Sequence, residues 1–149
     1  MQVSELCETE VVCCGPEATV GEIARLMREH HVGDVVVTGR NVQLHMPLGI
    51  VTDRDIVVQA LAAEVELALL TAGDMMSAPP VTVDNHATLE EALQTMHQHK
   101  VRRLPVVRED GTLYGLLAAD SLIYRLAAMT MSMASVMARQ PRVEAQKRT

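Results

Sequence analysis

The sequence predicts an α+β fold with layers of the α/β type, built from two β-α-β-β-α units in tandem, and three observations support this prediction. A shift of 69 residues aligns residues 12–37 with residues 81–106. Each aligned stretch contains a threonine, a glutamate three residues later, and then an apolar pattern with helical spacing. Each is followed by two apolar runs that turn residues separate, which is typical of paired strands. Because the chain repeats itself, both copies should fold alike.

Composition limits the class of function. The chain has 149 residues, of which 48% are hydrophobic and 21% charged, with two Tyr and neither Phe nor Trp, so we expect an ordered fold with an aliphatic core. A formal net charge of −6 argues against general binding to nucleic acid or to an anionic membrane. The three cysteines lack CxxC spacing and the histidines lack metal-ligand spacing, so we expect no metal site.

The predicted location is cytoplasmic. No apolar run approaches the roughly 18 to 20 residues that span a bilayer, and the N-terminus is acidic where a signal peptide would be basic and then apolar. We therefore expect no membrane association.

The first strand and helix of each copy are predicted from local patterns. Thr19 with Glu22, and Thr88 with Glu91, have the spacing of a capping box at a helix start. The predicted boundaries are first strands at 11–14 and 81–83, and helices that end near His30 and His99.

The remaining elements follow in the same order in both copies. The runs "GDVVVT" and "RRLPVV" are too continuous to be half-exposed, so we expect central strands buried on both faces. The turns "TGRN" and "REDG" lead into the partner strands "PLGIV" and "TLYGLL". Second helices begin near Asp53 and Ala119. The predicted organisation is repeat 1 at 1–66, repeat 2 at 67–128, and a helix end with a frayed polar tail at 129–149.

The repeat resembles the CBS domain family, named for cystathionine β-synthase. The stretch "MMSAPPVTVDNHATLEEALQTMHQHKVRRLPVV" is similar to the family's M-x-x-x-P-h-T-h run, its A-T-L helix start and its h-x-x-h-P-V strand. The stretch "GIVTDRD" is similar to its G-h-h-T-x-x-D pattern, and the resemblance covers about residues 3–125. It implies that the two units pack sheet to sheet as a pseudo-two-fold pair.

The resemblance also implies a function. CBS pairs are regulatory modules that bind adenosyl ligands such as AMP, ADP, ATP, S-adenosylmethionine or NAD(H)-type molecules in clefts between the copies, and they modulate a partner protein. An enzyme is not expected, since the sequence has no GxSxG, P-loop or Rossmann glycine pattern. We therefore expect no catalytic residues and no catalytic cofactor.

Two interpretations of Thr52 and Asp55 stay open. They form a capping box and nothing more, or the Thr52 hydroxyl and the free N–H groups of the helix face a phosphate while Asp55 accepts the ribose hydroxyls. Apolar groups of the second copy would clamp adenine, and Arg102 or Arg103 would reach the phosphates, with Lys100 as a further candidate. The predicted nucleotide-binding residues are Ile50, Thr52, Asp55, Pro80, Val81, Val101, Arg102, Arg103 and Pro105.

A second cleft is expected to be degenerate. Ala118 and Ser121 stand where the first copy has Thr52 and Asp55, so the hydroxyl and the carboxylate that would bind ribose are both missing. Gly33 and Asp34 replace the two arginines. The residues predicted for this cleft are Cys13, Cys14, Val32, Gly33, Asp34, Ala118 and Ser121.

The C-terminal helix suggests an interaction with other chains. Met129, Met133 and Met137 share one helical face, which is typical of a core or of a dimer interface, and the resemblance implies a homodimer. The alternative function is a dimerisation or scaffold protein that needs no ligand. The scattered basic residues of the tail are better explained as a solubilising end than as a nucleic-acid contact.

Overall fold

The computed structural model describes residues 1–39 and 45–148, with residues 140–145 described by their backbone alone. The chain divides into two compact units, Met1–Leu117 and Ala118–Thr149. The first unit contains almost all of both sequence repeats. The second is dominated by one long helix.

The first copy follows the predicted β-α-β-β-α order after a short leading helix. Its elements are α1 (Val3–Leu6), β1 (Cys13–Cys14), α2 (Val20–His30), β2 (Asp34–Thr38), β3 (Pro47–Thr52) and α3 (Asp53–Asp55), which runs on as a π-helix (Ile56–Leu61). Strand β2 is central, parallel to β1 and antiparallel to β3. Its residues Val35, Val36 and Val37 have no exposed surface, which confirms the prediction of a strand buried on both faces.

The second copy has the same order of elements. They are α4 (Ala72–Met75), β4 (Val83–Asp84), α5 (Leu89–His99), β5 (Arg103–Val107), β6 (Leu113–Ala118) and α6 (Ala119–Lys147). The sheet order is β4-β5-β6, so the proline-containing strand is central, as predicted. The α+β fold of two repeated units, with three strands in each sheet, is confirmed.

The first strands are shorter than predicted, at residues 13–14 rather than 11–14 and 83–84 rather than 81–83. The residues ahead of each strand line pockets instead of extending the sheet. The predicted helix ends at His30 and His99 are confirmed, and both helices stop where the next residue adopts a left-handed conformation. These residues are His31 and Lys100, with φ of 55° and 54°.

The turn "REDG" forms as predicted. Gly111 has a φ of 85°, and its N–H donates to the Arg108 carbonyl at 2.8 Å. The Asp110 carboxylate accepts from the Thr112 N–H at 3.0 Å and from the Thr112 hydroxyl at 2.7 Å. The corresponding turn "TGRN" lies largely outside the described residues.

Each copy contributes its leading helix to the other copy. The N–H of Val3 in α1 donates to the carbonyl of Ala87 at 2.8 Å, just before α5. The N–H of Ala72 in α4 donates to the carbonyl of Ala18 at 2.8 Å, just before α2. Because the exchange is reciprocal, neither repeat completes its own packing.

The core of the first copy shows the result of this exchange. Ala72 and Met75 of α4 are buried within it, although they belong to the second copy by sequence. The buried members of this core are Val20, Ile23, Met27, Val35, Val37, Val51, Ile56, Ala60, Ala72 and Met75. It is aliphatic throughout, as the composition predicts.

The second unit corrects two expectations and narrows a third. Helix α6 runs through the segment predicted to be a frayed tail and ends at Lys147, since most residues there favour helix. Its methionines are 49% to 74% exposed, so they do not belong to a core. Among the described residues, the part at Ala119–Arg139 is long and apolar enough to cross a membrane by length and composition, with a mean hydropathy of 1.2.

The prediction that no segment reaches this length was therefore wrong. It considered only uninterrupted apolar runs, whereas Asp120 and Arg125 interrupt this one. A single helix that passes by length and composition is weak evidence for a membrane span.

Candidate functional site

A pocket of about 250 Å³ lies between residues of the two copies within the first unit. It contains seven of the nine residues predicted for the nucleotide site. The lining residues are Ile50, Thr52, Ser77, Pro79, Pro80, Val81, Lys100, Val101, Arg102 and Arg103.

The end of α5 places four consecutive lining residues. The left-handed Lys100 ends the helix, and the Val101 N–H donates to the Met96 carbonyl at 3.0 Å, which closes the last turn. Strand β5 begins two residues later, at Arg103. The chain between helix and strand therefore presents Lys100, Val101, Arg102 and Arg103 to the pocket together.

The lining combines apolar walls with positive charge. Ile50, Pro80, Val81 and Val101 offer aliphatic surface to a planar ring. Three of the lining residues are cationic and none is a carboxylate. Lys100 and Arg102 are exposed, so their charges are free to meet a ligand anion. Such a set of walls and donors suits a molecule with a flat apolar part and an anionic part.

Thr52 and Asp55 form a complete capping box. The Thr52 N–H donates to Asp55 Oδ2 at 2.8 Å, and the Asp55 N–H donates to Thr52 Oγ1 at 3.2 Å. Thr52 Oγ1 accepts this bond, so the hydroxyl hydrogen is still able to donate towards the pocket that Thr52 lines. The simpler interpretation of the pair is thus realised in the structure.

The predicted phosphate site on free helix N–H groups is not present. The N–H of Asp53 donates to the Gly33 carbonyl at 2.9 Å, and that of Arg54 donates to Asp53 Oδ1 at 2.8 Å. Together with the capping box, these bonds occupy the N–H groups from Thr52 to Asp55. An anion in this pocket would therefore be held mainly by side chains.

Two predicted residues lie away from the lining. Pro105 is fully buried within the central strand β5 and does not line the pocket, so its contact with a ligand stays a prediction. Asp55 is half-buried beside Thr52, and its Oδ1 also accepts from Gln59 at 3.4 Å. Its role towards ribose stays a prediction.

Two lining residues, Ser77 and Pro79, were not predicted. Ser77 pairs with Ile50 in an isolated bridge, in which the Ser77 N–H donates to the Ile50 carbonyl at 3.1 Å. They enter the pocket because α4 and the residues after it pack on the first copy. The internal repeat alone gives no sign of this exchange.

A second pocket of about 410 Å³ lies on the first copy. It contains Cys13 and Val32 of the predicted degenerate cleft, but not Cys14, Gly33 or Asp34. Its lining residues are Glu10, Val11, Val12, Cys13, Leu26, His30 and Val32. Ala118 and Ser121 belong to the second unit. The ionisable groups here are an acid, a thiol and a histidine, in contrast to the three cations of the first pocket.

The structure places Asp34 against a residue of the first pocket. Asp34 forms an ion pair with Arg103, a lining residue of the first pocket, in which Arg103 Nε donates to Asp34 Oδ2. The side chains are 15% exposed for Asp34 and 26% exposed for Arg103. Aligning the two repeats makes Asp34 and Arg103 equivalent residues and so assigns them to different clefts. In the folded chain they contact each other.

The thiols of the first strand are held protonated. Burial raises the pKa of Cys13. Burial also raises the pKa of Cys14, with smaller contributions from Cys13 and from the charge of Glu22, to about 11. Within the described part of the chain, no three His, Cys, Asp or Glu side chains gather into a metal-binding group.

The chain belongs to the CBS domain family. The family model matches it twice, over residues 3–61 and 72–128. Each match begins at the leading helix of its copy, so the exchanged segment is part of the domain.

Among curated proteins, the chain is 32% identical over 123 residues to an uncharacterized protein of Methanopyrus kandleri and spans 61% of its length. It is also 39% identical over 99 residues to hypoxic response protein 1 of Mycobacterium tuberculosis, a match that covers 66% of this chain and 67% of that protein.

Among solved structures, the chain is similar to a CBS domain protein of Pyrobaculum aerophilum complexed with AMP. The TM-score is 0.77 at 27% identity, and the match covers 91% of this chain and 99% of that one. A structure of hypoxic response protein I with two coordinated zinc ions matches with a TM-score of 0.72 at 31% identity, over 83% of this chain and 98% of that one.

Proposed function

We propose that this protein is a non-catalytic regulatory module that binds an adenine nucleotide in the pocket lined by Thr52 and Arg102, and that binding modulates a partner protein. The observation that supports this proposal is the pocket itself, which has aliphatic walls and three cations without a lining carboxylate. The AMP complex of the similar Pyrobaculum aerophilum protein supports AMP as the first ligand to test. We propose a cytoplasmic location as part of the same function.

The proposed binding mode follows from the lining. The adenine ring packs between Val81 and Val101, where apolar contact favours a flat heterocycle. The phosphate lies near Arg102 and Lys100, which form charge-assisted hydrogen bonds. The Thr52 hydroxyl donates a further hydrogen bond. S-adenosylmethionine and NAD(H)-type ligands share the adenosine part, so they are alternative ligands for the same pocket.

Titration calorimetry with AMP, ATP, NADH and S-adenosylmethionine tests this function. We expect at least one to bind with a Kd below about 1 mM, and a weaker Kd for all four would overturn the proposal. Arg102→Gln should weaken the binding of a phosphate-bearing ligand about tenfold, since it removes a charge-assisted bond. Arg28→Gln, an exposed arginine in the last turn of α2 that lines neither pocket, is the matched control and should change the Kd less than twofold.

A second candidate function is a dimerisation or scaffold role, which exposed apolar side chains favour. Val57, Val58 and Leu61 on the π-helix are 54%, 53% and 57% exposed. The positions that match Val57 and Val58 in the second copy, Ile123 and Tyr124, are 68% and 77% exposed. We propose that a second copy of the chain covers these residues in a homodimer.

Analytical ultracentrifugation tests the homodimer. Val58→Glu should shift the chain towards monomer, since it places a charge in an apolar contact. Leu93→Glu is the control, because Leu93 is a 45% exposed apolar residue that belongs to α5 and not to the π-helix. A monomer at all concentrations would overturn the dimer, and a dimer that binds no nucleotide would favour the scaffold role over the sensor role.

A further inference from the structure

Asp34 and Arg103 occupy equivalent positions of the two repeats, and they contact each other. Each is the first residue of the central strand of its copy. Equivalent residues of the two copies can contact each other only next to the pseudo-two-fold axis that relates the copies. If the two repeats were identical, two copies of the same residue would contact each other at this axis. Here an acid contacts a base. The pair is therefore a local break in the symmetry of the repeat.

This ion pair lies at the edge of the first pocket. Arg103 lines the pocket, and so does Thr52, whose strand partner is Asp34. Directly paired residues on antiparallel strands have Cα atoms about 4.5 to 5.5 Å apart, so Asp34 lies next to the lining. Both side chains are largely buried, at 15% and 26% exposure, so water and salt screen the pair less than they screen an exposed one.

Asp34 changes the charge that the pocket offers to a ligand. The lining has three cations, but the Arg103 charge is offset by Asp34 at the contact. Arg103 uses Nε for this bond, and its two Nη groups have no hydrogen-bond partner among the described residues. Asp34 thus orients the guanidinium while cancelling most of its field. The uncompensated positive charge belongs to Lys100 and Arg102.

We propose that Asp34 is a specificity-determining residue that limits the negative charge of the ligand, so that the pocket prefers a nucleoside monophosphate to a triphosphate. This proposal rests on the proposed nucleotide function. A monophosphate carries about two negative charges at neutral pH and a triphosphate about four. The charges of Lys100 and Arg102 balance those of a monophosphate. A triphosphate must place additional negative charge near Asp34.

The test is calorimetry on the full chain with AMP and with ATP, in EDTA so that no metal neutralises the phosphates. Asp34→Asn keeps an oxygen that accepts from Arg103 and removes the charge. We expect its ratio of ATP affinity to AMP affinity to rise at least about fivefold, the factor that two unit charges about 4 Å apart give in bulk water, where screening is strongest. Arg103→Gln leaves Asp34 uncompensated, and the ratio should fall by a similar factor.

The double variant Asp34→Asn with Arg103→Gln is the decisive arm, because its pair is again neutral. Its affinity ratio should return to within twofold of the unmodified chain. Glu90→Gln is the control for net charge, since Glu90 is an exposed residue in the first turn of α5, whose far end lines the pocket. At 1.5 Å per residue that end is about 15 Å away, beyond the screening length at physiological salt.

The outcomes separate this inference from the proposed function. If the unmodified chain binds neither nucleotide below about 1 mM, both fail. If it binds AMP and the three variants keep the affinity ratio of the unmodified chain, the role of Asp34 is overturned and the nucleotide function stands. Circular dichroism checks that each variant is folded, and Arg103→Gln alone decides the direction of the effect if Asp34→Asn unfolds.

Discussion

Asp55→Ala separates the two interpretations of the pair that begins α3, because a matched capping box exists elsewhere in the chain. In the Thr52 box the two hydrogen bonds are 2.8 and 3.2 Å long. In the box of Thr71 and Asp74 they are 3.1 and 3.3 Å long. Losing either box should cost about 1 kcal/mol of the free energy of unfolding, or about 2 to 4 °C in Tm. Asp55→Ala and Asp74→Ala should therefore destabilise the chain alike.

Nucleotide binding should respond differently to the two variants. If Asp55 accepts ribose hydroxyls, Asp55→Ala loses hydrogen bonds to a charged group worth about 1.5 to 3 kcal/mol each, and the Kd for AMP rises at least about tenfold. Asp74→Ala should leave the Kd within twofold. The unmodified chain should also bind AMP more tightly than 2′-deoxy-AMP, and Asp55→Ala should lose that preference.

The same measurements can also show that Asp55 does not contact the ligand. If Asp55→Ala melts as early as Asp74→Ala but binds AMP as tightly as the unmodified chain, Asp55 is a helix cap only. Equal binding of AMP and 2′-deoxy-AMP by the unmodified chain would point the same way. The nucleotide pocket would then rely on its apolar walls and on its cations.

Three further variants and conditions test the packing. Gly115→Ala should lower the free energy of unfolding by about 2 kcal/mol, because its Cβ would lie 2.6 Å from the Glu8 carbonyl oxygen. Gly39→Ala, whose Cβ would meet no atom of the described residues within 4 Å, should cost less in the same urea titration. Leu104→Ala removes a side chain with no exposed surface and should cost about 3 kcal/mol by the same assay; a loss below 1 kcal/mol would contradict its place in the core. The pKa of Cys14 is about 11 in the folded state against 9.0 for a free thiol, so the folded chain keeps this proton to higher pH than the unfolded chain. The free energy of unfolding should therefore fall as pH rises from 9 towards 11, and a constant value over that range would contradict the burial of Cys14.

The sequence alone predicts the elements of this fold well, because the repeat supplies each prediction twice. Both long helices end at the expected histidines, where the next residue turns left-handed. Both begin at the expected capping boxes. Patterns of this kind depend on neighbours within four residues, which the sequence shows directly.

The differences between the sequence-based site and the structure concern contacts between distant parts of the chain. Pro105 was assigned to the ligand because its motif adjoins the pocket, yet its own strand is central and buries it. Asp34 was assigned to the second cleft by its repeat position, whereas the fold pairs it with Arg103. Ser77 was missed because nothing local shows that the segment after α4 packs on the other copy. Each difference arises where the tertiary pairing of the copies, and not the position in the repeat, decides which residues are neighbours.

The same pairing explains how a repeated fold can carry unlike sites. Residues that make the fold, such as the Thr–Glu capping boxes and the buried apolar residues of the central strands, occupy equivalent positions in both copies. The four residues that follow α2 and α5 differ between the copies. They read "HVGD" after α2 and "KVRR" after α5. Where the copies meet, a change in either sequence alters the charge beside the first pocket, as Asp34 does through Arg103. Divergence of a few positions between helix and strand is therefore enough to give that pocket its own charge, while the packing beneath it stays the same.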